Sequence, residues 1–349
     1  MSQTDSRSML ASYLLEPGKI EIRSLPVPVP GPEQVLIRVD AVGSCGSDTH
    51  FYKTGVIGDL VVKSPIVLGH EVAGTIVAVG ENVSADRIGQ LTAVEPQKPC
   101  RACEYCKRGD YHLCPSMEFY GAWPVDGAFA EYVLIDSDFA FDVPGHMTAE
   151  QAALVEPTSV AVHACRRAGV SAGSSVFITG AGPIGVMTTQ VARAFGATRI
   201  VVTDPAEPRR DFVARRGATE VVNPLTTDLS AYGDQFDIYI DASGNAEAIL
   251  SAIPVIKRGG MAMLVGMGSH DLSVPIAHLQ HREITMTGTY RYVNTWPAAI
   301  SLIATGAVNT EGLVTSRHGL HEVEDAMLNA TRDPHSIKSM IIPALTKEA

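Results

Sequence analysis

Residues 34–43 (QVLIRVDAVG) alternate apolar and polar side chains with the period of two that a half-buried strand requires. Residues 71–80 (EVAGTIVAVG) and 129–135 (FAEYVLI) carry a similar pattern. Pro and Gly clusters between them, such as Pro26 to Pro32, break helices. The first half is therefore predicted to be an all-β domain with long loops. From residue 147 the spacing becomes helical, with Ala, Leu and Val on one face of 147–168. Short apolar strands are predicted at 175–179, 199–203, 220–222, 236–241, 260–265 and 284–288, with helices from a Gly-rich turn to Phe195, at 207–216 and at 245–256. Six strands joined by helical crossovers imply α/β architecture with a parallel, doubly wound sheet. Beyond Trp296, helices at 296–305 and 322–331 and a strand at 337–342 read as a tail that rejoins the first domain. The expected organisation is a discontinuous domain of 1–156 and 293–349 around a sheet domain of 157–292.

Length and charge narrow the classes. A chain of 349 residues, 46% hydrophobic and 19% charged, suits two soluble globular domains. Its net charge of −11 opposes non-specific binding to nucleic acid or to anionic membranes. The start, Met1 to Ser8, lacks the apolar core of a signal peptide, and no apolar run reaches the roughly 18 residues of a spanning helix. The expected address is cytoplasmic.

Cysteine usage points to metal. Cys100, Cys103, Cys106 and Cys114 have the spacing C-x2-C-x2-C-x7-C, and four thiolates in one short loop complete a tetrahedral, closed, structural zinc site. An iron–sulfur cluster accepts the same four thiolates; zinc is favoured because a second zinc-like set shares the chain. That set is Cys45, His70, Glu71 and Glu156, each beside Gly or Pro punctuation, where few protein ligands leave a position open for substrate. Ser47 and His50 follow Cys45 closely enough to relay a proton from a metal-bound alcohol to water. Cys165 stands alone and reads as a small buried hydrophobe.

The strand 175–179 runs into Gly180-Ala181-Gly182-Pro183-Ile184-Gly185, a G-x-G-x-x-G turn opening a helix. Its glycines allow the tight turn, backbone approach to a pyrophosphate, and close helix–strand packing. Asp204, nineteen residues after Gly185, ends the next strand and is placed to accept from adenosine ribose hydroxyls. An acid there repels a 2′-phosphate, so NAD is favoured over NADP, although Arg209 is near. Val265-Gly266-Met267-Gly268 ends the fifth strand, where backbone lines a nicotinamide.

With these residues in view the chain resembles the zinc-dependent medium-chain dehydrogenases, and within them the sorbitol and xylitol (polyol) dehydrogenase branch. The shared stretches are GSCGSD at 43–48, IGDLVVKSPIVLGHE at 57–71, LVEPTSVAVHACRRAGV at 154–170, GAGPIG at 180–185 and RYVNTWPAAI at 291–300. The resemblance implies a GroES-like catalytic domain, a Rossmann coenzyme domain, a homotetramer, and oxidation of a secondary hydroxyl of a polyol to the ketose with NAD as hydride acceptor. It carries the catalytic zinc to Cys45, His70 and Glu71, with Glu156 holding a water or exchanging as ligand. It carries cofactor contacts to Ile184, Asp204, Arg209, the loop 266–268, Tyr290 and Arg291, and substrate contacts to Phe119, Glu156, Arg291 and Tyr292. Phe51 stands where many polyol dehydrogenases carry Tyr, and Ala122 where the animal enzymes carry Thr, so two hydrogen-bond partners leave the expected pocket. A sister dehydrogenase acting on threonine or a simple secondary alcohol is the alternative enzyme. A dinucleotide-binding sensor or scaffold holding only the structural zinc is the alternative without catalysis.

Overall fold

The computed structural model describes residues 7–346 apart from 59, 63, 64, 269 and 270. Most of the polar start, and three positions of the 57–71 stretch, thus lie outside the described residues. The chain forms two compact units, Met1–Glu156 with Thr310–Ala349, and Pro157–Asn309.

In the first unit a seven-stranded mixed sheet runs in the order Ala140–Asp142, Leu91–Val94, Glu71–Val79, Gln34–Gly43, Lys338–Ile341, Val314–His318, with Tyr132–Asp136 also paired to Gln34–Gly43. The central strand pairs antiparallel with Glu71–Val79, placing Gly43 opposite Glu71. Ile37, Val39, Ile76, Leu68 and Phe129 close over one face as core. A hairpin of Ser8–Glu16 and Lys19–Pro26 precedes it, turning at Pro17-Gly18 where Gly18 has φ +79°. The alternation IEI within 20–22 carried that strand signal, ahead of the proline cluster.

This unit is not all β. Helices form at Gly46–Thr54, Glu104–Lys107, Ala149–Ala153 and Val323–Arg332. The first starts because Cys45 is its N-cap and the Asp48 carboxylate turns back to accept from the Cys45 amide at 2.9 Å. It stops at Gly55, whose φ is +73°. The predicted helix 147–168 is two helices, Ala149–Ala153 and Val155–Ala168. Pro157 is tolerated only in a helix's first turn, which forces the restart just before it.

The tail builds a parallel pair, Val314–His318 and Lys338–Ile341, with Val323–Arg332 as the crossover. Lys338–Ile341 then pairs antiparallel with the end of the central strand, Met340 opposite Gly43 and Ile341 opposite Val42. The last 37 described residues of this unit (310–346) therefore back the segment that leads into Cys45.

The second unit holds a six-stranded parallel sheet, ordered Glu220–Val222, Arg199–Thr203, Ser175–Thr179, Phe236–Asp241, Ile256–Leu264, Thr285–Gly288. Strand order reverses between Ser175–Thr179 and Phe236–Asp241, the arrangement of a dinucleotide fold. The fifth strand begins four residues before the predicted 260; Lys257-Arg258-Gly259-Gly260 conceals its pattern. The helix predicted to 256 ends at Ala252 and continues as a 3-10 turn through Pro254, which has no amide to donate. The unit also extends to Asn309 rather than 292: Arg166 donates to Asn294 O at 2.9 Å, and Gln190 to Asn309 O at 3.3 Å, fastening the helix Trp296–Ala304 to this unit's helices. Among the described residues no helix is long and apolar enough to cross a membrane.

Candidate active site

Sheet register and one helix start bring three donors together. Cys45 sits at the mouth of the central strand, and His70 and Glu71 at the start of its neighbour. Ligand atoms of Cys45, His70 and Glu71 all lie within 4.8 Å of one another. Glu156 is buried at the start of its helix but is not among these three. Ser47 Oγ lies 3.4 Å from His70 Nε2, His50 is exposed on the same short helix, and the Phe119 ring packs 5.4 Å from the His70 ring. Phe51 is buried in the core cluster.

The donor set fits zinc by its chemistry. Burial pushes the Cys45 thiol up to about 12, with the charge of Glu71 adding and that of Lys338 opposing. Left alone the thiol keeps its proton; a dication supplies the charge that removes it. A thiolate, an imidazole and a carboxylate are zinc's own ligand types, and three protein ligands leave one position for a hydroxyl.

The second cluster is Cys100, Cys103, Cys106 and Cys114, again with ligand atoms within 4.8 Å. Cys103 Sγ is 3.4 Å from Cys106 Sγ, and none of the four is in a disulfide. Backbone N–H groups of Ala102 and Cys103 hold the Cys100 thiol down, to about 6. Arg101 pins the loop by donating to Asp138 at 2.7 and 2.8 Å and to Asp136 at 3.2 Å.

In the second unit the helix Pro183–Ala194 has Gly182 as N-cap and Pro183 in its first turn. A Cβ on Gly182 would meet nothing within 4 Å, whereas one on Gly185 would sit 1.9 Å from Gly180 O. The middle glycine thus leaves open space before a helix N-terminus, and the last permits close packing. Asp204 accepts from the amides of Ala181 and Ala206, both at 2.8 Å, so its carboxylate is locked beside the glycine turn. Arg210 donates to the backbone carbonyls of Asp204 and Pro205 at 2.7 Å.

Two family patterns match: the alcohol dehydrogenase GroES-like domain over residues 31–145 and the zinc-binding dehydrogenase domain over 183–305. Sorbitol dehydrogenase of Bacillus subtilis is 39% identical, with 98% of this chain and 99% of that protein aligned. A crystal structure of an Escherichia coli oxidoreductase of unknown specificity superposes with a TM-score of 0.91 at 34% identity, over 96% of this chain and 99% of that one. A Sinorhizobium meliloti zinc-binding dehydrogenase bound to NADP gives 0.89 at 29% identity, over 97% and 100%. The chain belongs to the zinc-dependent medium-chain dehydrogenases. It is an oxidoreductase that acts on CH–OH groups, built from a GroES-like and a Rossmann unit.

Three residues of this dehydrogenase escaped the sequence reading. Asp48, 1% exposed, accepts from Cys45 N at 2.9 Å and from Gly69 N at 3.1 Å, and lies 3.6 Å from His70 Nδ1. One carboxylate thereby clips together the two chain segments that carry the donors, with the imidazole beside it. Burial raises its pKa, against the opposing effects of His70 and the two amides. Its spacing from Cys45 was a capping signal at the sequence level. Lys338, 3% exposed, donates to Glu71 Oε1 at 2.5 Å and to Ser44 O at 3.0 Å. Burial pulls the Lys338 pKa down, and the charges of Glu71, Cys45 and Glu156 reverse this, leaving it raised. Asp241, fully buried, accepts from Thr179 Oγ1, Ser243 N, Ser243 Oγ and Gly244 N at 2.7 to 3.1 Å. It fixes the 243–244 turn against the 266–268 loop, where a Cβ on Gly268 would overlap Gly244 O.

Met267 and Tyr290 are exposed, and the Arg291 guanidinium lies 4.6 Å over the Tyr290 ring. Arg291 has φ +56° and Asn294 +53°, so this segment holds two non-glycine residues in the left-handed region. Burial lowers the Arg291 pKa. Tyr292 is 1% exposed and packs edge-on against Trp296 at 4.7 Å. Cys165 is fully buried, as a small hydrophobe would be.

Proposed function

We propose that this protein is a zinc- and NAD-dependent polyol dehydrogenase, oxidising a secondary hydroxyl of a sorbitol- or xylitol-like polyol to the ketose. The observation that carries the reading is the convergence of Cys45, His70 and Glu71 in a chain that aligns end to end with a sorbitol dehydrogenase. Cys45, His70 and Glu71 would hold the catalytic zinc, and Cys100, Cys103, Cys106 and Cys114 a structural one. When bound, the catalytic zinc supplies Lewis acidity that brings a hydroxyl pKa toward neutrality. When bound, the nicotinamide supplies a hydride acceptor.

The chain's own residues do the rest. Asp48 keeps His70 oriented, Ser47 takes the substrate's proton, and His50, exposed on the same helix, passes it to water. Glu156 orients a water or exchanges as ligand. Phe119, Glu156, Arg291 and Tyr292, with Phe51, shape the substrate side. Gly180, Gly182, Pro183, Ile184 and Gly185 admit the pyrophosphate at the helix N-terminus. Asp204 accepts from the ribose hydroxyls and repels a 2′-phosphate, which favours NAD. Arg209, Val265, Gly266, Met267, Gly268 and Tyr290 complete the cofactor contacts, and the working form is a homotetramer.

The test is NADH formation from NAD with sorbitol, xylitol, ribitol, arabitol, galactitol, threonine and 2-propanol, before and after stripping the catalytic zinc. A zinc-dependent signal on one or two polyols is expected. Silence on every polyol with turnover of threonine or 2-propanol would move the protein to a sister branch. Silence on all seven with NAD still bound would favour a sensor.

A further inference from the structure

Lys338 places a buried ammonium beside the donors Glu71 and Cys45, and its surroundings are built for it. Lys338 and Glu71 are 3% and 1% exposed, and a pair this deep is held by geometry rather than by solvent. The lysine hydrogen-bonds Ser44 O at 3.0 Å, one residue before Cys45. The strand that carries it is fixed by Met340 opposite Gly43 and by Ser44 N donating to Ser339 O at 3.0 Å. Gly43 supplies the floor: a Cβ there would lie 1.9 Å from Glu71 Oε2 and 2.9 Å from Lys338 Cε. The same carboxylate is thus shared between a fixed ammonium and the space where Cys45 and His70 converge.

We propose that Lys338 is a positioning residue that holds Glu71 as an exchangeable, rather than a permanent, ligand of the catalytic metal. The inference rests on the zinc reading above. The ammonium compensates part of the carboxylate's charge and competes with the dication for it, so the metal–carboxylate bond is weaker than a free carboxylate would make. It also leaves the shell one positive charge richer, which favours an incoming hydroxyl giving up its proton. Removing the ammonium gives the metal sole claim on Glu71 and leaves the metal-free form with an uncompensated buried carboxylate. Both effects tighten metal retention, while turnover, which needs the ligand to yield, falls.

The experiment measures zinc release from the loaded full-length enzyme into a chromogenic chelator, for wild type, Lys338→Met, Lys338→Gln and Lys338→Arg. Cys45→Ala identifies the catalytic phase, and the four-cysteine site is the internal reference for an intact fold. The catalytic phase should slow by about tenfold or more in Lys338→Met and Lys338→Gln. The reference phase should stay unchanged, and Lys338→Arg should return toward wild type. Lys338→Gln, which keeps a hydrogen-bond donor, is decisive if the Met variant does not fold. An unchanged or faster catalytic phase in the Gln variant overturns the role of Lys338 alone. A Cys45→Ala protein that keeps every zinc phase overturns the metal reading and this inference with it.

Discussion

Glu95 supplies a test of the burial argument whose size can be worked out in advance. It is 1% exposed; its carboxylate accepts from Tyr111 Oη at 2.8 Å and from Gln97 Nε2 at 2.9 Å. Tyr111 belongs to the turn between Cys106 and Cys114, so Glu95 is the buried footing of the four-cysteine loop. Burial pushes its carboxyl from 4.5 up to about 7, against the two hydrogen bonds, with Asp138 adding. A raised carboxyl pKa means that the folded form keeps a proton the unfolded chain gives up. Below 4.5 both forms are protonated and nothing is lost; between 4.5 and about 7 stability falls as pH rises; above that the full cost is present. That cost is about 3 kcal/mol. Glu95→Gln keeps an oxygen for both donors and has no charge to bury. It should therefore be more stable than wild type by up to about 3 kcal/mol near pH 8, and the gap should close toward pH 5. Urea unfolding, followed by hydrogen exchange in peptides spanning residues 91–143, reads the unit concerned. A gap that stays constant across that range would falsify the claim that Glu95 titrates through it.

The glycine turn and the cysteine loop give two more expectations. Gly182→Ala adds a methyl where the protein has no atoms within 4 Å, so melting should be unchanged while NADH binding, read by its fluorescence, weakens by roughly tenfold or more. Gly185→Ala meets Gly180 O at 1.9 Å and should lower both melting temperature and binding; equal behaviour of the two variants would contradict the roles given to them. Cys103→Ser should lose one zinc per chain by elemental analysis and lower the melting temperature, and a full complement of zinc would remove the structural assignment.

What could be read from the residues alone was the chemistry whose signal is local. The glycine turn, its strand and its helix occupy residues 175–194, and the four cysteines lie within fifteen residues, 100–114, so spacing alone defined both. Cys45 and His70-Glu71 stand out because Gly punctuation flanks each of them where a strand meets a loop, and strand pairing makes them neighbours. The helix Gly46–Thr54 is not announced by the hydrophobic pattern, because its residues show no apolar face, although Cys45 and Asp48 have capping spacing. Lys338 could not be seen at all. It lies 267 residues from Glu71, and in the run Ser336-Ile337-Lys338-Ser339-Met340 it looks like an ordinary solvent-facing position of an alternating strand. Only the register of Met340 against Gly43, and the placement of that strand deep in the sheet, turn its side chain toward Glu71. The donors of this site are thus written in short motifs, whereas the charge that tunes them comes from the far end of the chain and depends on the whole sheet being formed. Changes that loosen the return of residues 310–346 should for that reason alter metal retention before they alter the donors themselves.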